Sequence, residues 1–114
     1  MPKAIRDRSA IYASRLFSRH PLDVRVRLVA LRSTGERVLI HGRSYDVSHS
    51  GAGVTLTYEL PSGTEVALWM RLPNRDTVLC LRAIIARRHG FRVGLQFLQP
   101  TPEQRLLLSE LCCA

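Results

Sequence analysis

The sequence predicts a mainly β protein: a six-stranded antiparallel barrel, followed by a C-terminal α-helix and preceded by a basic N-terminal arm. Three observations carry that prediction. From residue 23 onward apolar side chains recur with a period of two, in short stretches separated by turn-forming residues. No helical period interrupts these stretches, so consecutive strands connect through tight turns, as antiparallel barrels require. A strong helix start, Thr101-Pro102-Glu103-Gln104, then follows the last strand. With 114 residues, 46% hydrophobic and 23% charged, the chain suits one soluble domain with a single core and no second domain. The expected division is an arm over residues 1–22 and a barrel with its helix over residues 23–114.

Within the arm, Ser9 to Ser18 has the pattern of a short helix, with Ile11, Leu16 and Tyr12 on one side and Pro21 as its stop. The first strand follows, with Val24, Val26 and Leu28 alternating against Asp23, Arg25 and Arg27. Ser33-Thr34-Gly35-Glu36 is a turn, and Arg37 to Ser48 is extended, with Gly42 marking a bulge or bend. Gly51 to Tyr58 is the third strand, closed by Leu60-Pro61-Ser62-Gly63. Glu65 to Leu72 alternates Val66, Leu68, Met70 and Leu72 inward, and Pro73-Asn74-Arg75-Asp76 turns the chain. The run from Thr77 to Arg87 is the most continuously apolar, the pattern of a strand covered on both faces. His89-Gly90 marks a hairpin, after which Phe91, Val93, Leu95 and Phe97 are expected to point inward. In the helix, Thr101 caps, Pro102 takes the first position and Gln104 completes a capping box. Leu107, Leu108 and Leu111 form the stripe that lies on the barrel.

The charge is large and uneven. Sixteen arginines and one lysine against nine acids give a net +8. Residues 1–32 hold Lys3 and seven arginines against Asp7 and Asp23, a net +6 that leaves +2 for the other 82 residues. A basic arm ahead of a nearly balanced body points to an anionic partner. Arginine's planar fork suits phosphate oxygens and the O6/N7 edge of guanine.

Chemistry-bearing residues concentrate at Asp46-Val47-Ser48-His49-Ser50-Gly51, where one strand gives way to the next. Asp and Ser at such a junction bond the local backbone and shape a turn. The same carboxylate is able to accept two N–H bonds from a guanine edge, and glycine lets a ligand approach the backbone. Three arginine pairs lie four residues apart: Arg15/Arg19, Arg71/Arg75 and Arg88/Arg92. Only the first precedes both the first strand and the Asp46 stretch. The other two straddle turns and read as solvated surface.

Arg15-Leu16-Phe17-Ser18-Arg19 followed by Asp46-x-Ser48-x-x-Gly51 resembles the signature of the PilZ domain family, R-x-x-x-R and then [DN]-x-S-x-x-G. Arg19-His20-Pro21-Leu22-Asp23-Val24 is similar to that family's entry into its first strand, and Val93-Gly94-Leu95-Gln96-Phe97 to its last. The resemblance spans about Arg15 to Leu111. It implies a six-stranded barrel with a C-terminal helix and binding of the bacterial messenger cyclic di-GMP. It also implies that Arg15 and Arg19 clamp phosphate and guanine while Asp46, Ser48 and Gly51 line the other side. Ser14 stands where many members carry a further arginine, which removes one guanidinium.

No catalytic constellation is present. His20, His41, His49 and His89 lack ligand spacing, as do Cys80, Cys112 and Cys113, so neither an enzyme nor a metal or cofactor is expected. No apolar run reaches membrane-spanning length and residues 1–8 lack a secretory signal's apolar segment, so a cytoplasmic protein without membrane insertion is expected. The leading expectation is a cyclic di-GMP receptor acting on an unidentified protein partner through ordering of its arm. The alternatives are an adaptor that has lost nucleotide binding and a small basic barrel that binds nucleic acid. DNA or RNA is not the expected main partner, because only seven aromatics are present and several read as core.

Overall fold

A computed structural model describes residues 19–73 and 76–113. The helix expected at Ser9 to Ser18, Arg15 within it, and the middle of the turn after Pro73 lie outside the described residues. The elements in order are β1 (His20–Pro21), β2 (Arg25–Leu31), β3 (Arg37–Val47), β4 (Gly51–Leu56), β5 (Glu65–Arg71), β6 (Val78–His89), β7 (Arg92–Phe97) and α1 (Pro102–Cys113). All pairings are antiparallel. The order β3-β2-β5-β6-β7-β4, with β4 returning to β3, closes six strands into a barrel, and the two-residue β1 adds to β3. Closure leaves no long sheet edge exposed.

Alternation places the core. Val26, Leu28 and Ala30 of β2, Val66, Leu68 and Met70 of β5, Leu79, Leu81, Ala83 and Ile85 of β6, and Val93, Leu95 and Phe97 of β7 are all buried. Leu108 is fully buried against this cluster, with Leu107 and Leu111 partly buried beside it. The cap forms as its sequence dictates: Gln104 N–H donates to Thr101 Oγ1 at 3.1 Å and Thr101 N–H to Gln104 Oε1 at 2.9 Å. Gln104 Nε2 also donates to the Cys80 carbonyl at 2.6 Å, which ties the helix start to β6.

Three expectations are corrected. The strand β6 is not covered on both faces: Leu79, Leu81, Ala83 and Ile85 point in while Val78 and Cys80 face out and are exposed. Phe91 does not point inward. It falls in the two-residue hairpin loop with Gly90 (φ 64°), where strand alternation has ended, and it is exposed. Of the bulge or bend expected at Gly42, the bulge is overturned, since β3 stays in register through it and slips instead between Ser44 and Asp46. At Gly42 and Arg43 β3 pairs with β2 and β4 together, and a Cβ on Gly42 would lie 2.4 Å from the Thr55 carbonyl oxygen.

The junction of arm and barrel is tightly bonded. His20 and Pro21 pair with Val47 and Asp46. Buried Ser44 accepts from Val24 N–H at 3.1 Å and donates to the Leu22 carbonyl, while Leu22 N–H reaches the Tyr45 carbonyl at 3.3 Å. Arg19 is therefore delivered to the barrel wall beside the end of β3.

Candidate functional site

The register slip at Tyr45 builds the site. Two residues of β3, Tyr45 and Asp46, turn outward together where regular alternation would send one inward. Both lie over Gly53 of β4, where a Cβ would stand 2.4 Å from the Tyr45 ring and 2.7 Å from Asp46 Oδ1. Gly53 must lack a side chain for this surface to exist.

Asp46 is held from two sides. Its Oδ1 accepts Gly53 N–H at 2.9 Å and its Oδ2 pairs with Arg19 Nε at 3.0 Å. The carboxylate is 20% exposed and the arginine 42%, so the pair sits at the surface in reach of solvent. Such exposed pairs are worth roughly 0.2–1 kcal/mol, which an incoming ligand readily exchanges. A carboxylate has about four lone-pair sites. Lone pairs on Asp46 therefore remain for a further donor.

The barrel register carries the surface onward. Asp46 pairs with Gly53, Gly53 with Gly94 of β7, and Gly94 with Arg87 of β6, forming one row across four strands. A Cβ on Gly94 would lie 3.6 Å from Arg87 Nε, so the guanidinium lies along this glycine floor. Arg92 places its Cζ 4.4 Å from the centroid of Tyr45. Arg92 is exposed, as expected of it, but it also lies over Tyr45, which the slip swings beneath it. Its companion Arg88 stays exposed, 3.6 Å from Glu59.

Ser48 and Gly51 stand differently. Ser48 is 1% exposed, and its Oγ accepts from Ser50 N–H and Gly51 N–H, each at 3.2 Å. Gly51 is buried, and a Cβ there would lie 2.1 Å from the Leu95 carbonyl oxygen, so its glycine is demanded by β7 packing. These two residues build the turn that holds Asp46. His49 is half-buried, with Nε2 3.3 Å from Ser109 Oγ on α1. Of the residues singled out in the sequence, Arg19 and Asp46 come together and Ser48 and Gly51 support them, while Arg15 lies outside the described residues. Tyr45, Gly53, Arg87, Arg92 and Gly94 join the surface only through register, although Gly53 and Gly94 inside strands were a visible signal of close approach.

Among the described residues no group of three or more His, Cys, Asp or Glu could hold a metal ion, and no helix is long and apolar enough to cross a membrane. Partial burial pushes the Cys80 thiol up, away from reactive thiolate character.

The outer face of this small β-barrel thus carries a turn-held carboxylate, arginines and a glycine floor. The PilZ domain family matches residues 13–113, and the chain belongs to that family, a cyclic di-GMP-binding one. No curated protein sequence matches the chain. Among solved structures, the PilZ domain of CeSA from a cellulose-synthesizing bacterium is 22% identical with a TM-score of 0.65, covering 84% of this chain and 95% of its own. The PilZ domain with c-di-GMP of YcgR from Escherichia coli is 19% identical with a TM-score of 0.65, covering 85% and 87%. The Bacillus subtilis inhibitor of motility MotI/DgrA is 19% identical with a TM-score of 0.67. It covers 85% of this chain, which spans about half (48%) of that protein. At these identities the likeness establishes the fold.

Proposed function

We propose that the protein is a cyclic di-GMP receptor that passes the nucleotide signal to a protein partner through its N-terminal arm. One observation carries this reading: Arg19 and Asp46, 27 positions apart in sequence, meet at 3.0 Å on the outer barrel face in the order of the family signature. In the proposed complex Arg15 and Arg19 take phosphate charge and a guanine O6/N7 edge, and Asp46 accepts from guanine N1 and N2. Ser48 and Gly51 hold the turn, and the floor of Gly53 and Gly94 lets a flat base lie against the barrel wall. The Arg19–Asp46 pair is then the resting arrangement, and the ligand draws Arg19 from the carboxylate to its phosphates. The c-di-GMP complex of the E. coli YcgR PilZ domain, on the same fold, supports this choice of ligand.

Calorimetric titration tests it. Cyclic di-GMP should bind saturably, whereas GTP and the linear dinucleotide should bind much more weakly. Equal heats for all three would reduce the surface to a general anion binder.

A further inference from the structure

On the outer face of β2, β3 and β5 lies a second basic surface, which adjoins the nucleotide surface at Tyr45 and which the nucleotide reading otherwise leaves unused. It is a cleft of about 1280 Å³, lined by Arg25, Arg27, His41, Trp69 and Arg71. Cross-strand pairing sets Trp69, Arg27 and His41 in one row. Arg25 is paired directly with Arg43, and Arg71 follows Met70, the partner residue of Val26, so three guanidinium groups neighbour one another. Arg43 is neutralised by Asp23 at 2.7 Å. Arg25, Arg27 and Arg71 form no ion pair among the described residues, although Asp76 stands at the rim. Like charges side by side on a sheet are destabilising. Proteins carry such local conflicts mainly where a ligand resolves them.

We infer that this cleft docks an acidic, leucine-bearing segment of a partner protein. The cleft exceeds the about 300–1,000 Å³ of small-molecule sites. Tryptophan and arginine are the side chains that dominate protein–protein hot spots. The cleft is also edged with aliphatic surface: Val78 lines it at 42% exposure, and Leu39 (54%) continues along β3. A polynucleotide fits less well, because it needs successive free stacking platforms. Trp69 offers one, and the ring of Tyr45 is already covered by Arg92. The chain's own N-terminal region, with a net +6 over residues 1–32, is repelled by this cleft, and the net +8 works against a second copy.

The cleft is tested on the full chain by fluorescence anisotropy. The probe is a labelled peptide of alternating glutamate and leucine, and an oligothymidylate of equal charge is run beside it. The wild type should bind the peptide more tightly than the oligonucleotide. The double variant Arg27→Glu/Arg71→Glu should weaken the peptide at least about tenfold, or about 1.4 kcal/mol. A control of identical net charge, Arg32→Glu/Arg105→Glu, should change it less than about twofold, as expected for screened, distant charges. Trp69→Ala should weaken the peptide while leaving the melting temperature near that of the wild type. Absence of peptide binding, equal losses in the two double variants, or tighter binding of the oligonucleotide would each overturn the proposal. Neither Arg19 nor Asp46 is altered, so cyclic di-GMP titrated into the same variants reports on the nucleotide reading separately.

Discussion

At the scale of single residues, glycines distinguish what folds the protein from what shapes its surface. A methyl group at Gly51 meets the Leu95 carbonyl at 2.1 Å, and that backbone oxygen sits within the β4–β7 ladder and cannot step aside. At Gly53 it meets the Tyr45 ring and the Asp46 carboxylate, side chains that rotate away. Gly51→Ala should therefore cost at least the roughly 1–3 kcal/mol of an overpacked core, and Gly53→Ala less. Gly53→Ala should nonetheless impair cyclic di-GMP binding by displacing Asp46. Urea denaturation paired with calorimetry checks both, and a Gly53→Ala protein with wild-type affinity would remove the glycine floor from the site. Asp46→Ala and Arg19→Ala should each weaken the nucleotide by roughly 1–3 kcal/mol with the fold intact. Full affinity in both variants would sink the assignment. Arg19 and Asp46 were legible in sequence because spacing and order single them out. Tyr45, Arg87 and Arg92 were not, because a one-residue slip in β3 and the pairing of β6, β7 and β4 decide which side chains share a face.

Elements were legible wherever burial is one-sided. In β2, β5 and β7 every second residue faces the core, so alternation in the sequence is alternation in space. Composition misled for β6, where Val78 and Cys80 look like a second buried face but remain uncovered. The capping box of α1 was readable because its chemistry is local, involving only Thr101 and Gln104. The bond from Gln104 to Cys80 was not, because it joins positions 24 apart. At this scale the expected outcome is a contrast within one helix. Leu108→Ala empties a fully buried position and should cost roughly 2–5 kcal/mol, whereas Leu106→Ala, at 61% exposure, should be nearly silent. Thr101→Ala should fall between them, at about 0.5–2 kcal/mol for a lost cap. Denaturant midpoints for the three variants give the order. A stable Leu108→Ala protein would mean that α1 is dispensable to the core.

For the whole molecule, the uneven charge sets the mechanical expectation. Residues 1–32 hold a net +6, and the chain enters the barrel wall at Arg19 through the short β1 pairing. Asp46, the acidic partner awaiting it there, already accepts both Gly53 N–H and Arg19. A dianion bound by Arg15 and Arg19 would add two negative charges where the arm is most basic. It would also fix the arm to the barrel at a second point, upstream of the Leu22–Tyr45 bond. Cyclic di-GMP should therefore slow amide exchange across residues 14–19. It should leave the Leu22 amide, already bonded to the Tyr45 carbonyl, and the β7 strand Arg92–Phe97 almost unchanged. Trypsin cleavage after Arg15 and Arg19 should slow in parallel. Cyclic di-AMP carries the same two phosphates but presents an amino donor where guanine presents O6, so it should produce little of either effect. Equal protection by both nucleotides would mean that charge alone ties the arm down. Equal exchange with and without cyclic di-GMP would place the signal outside the arm.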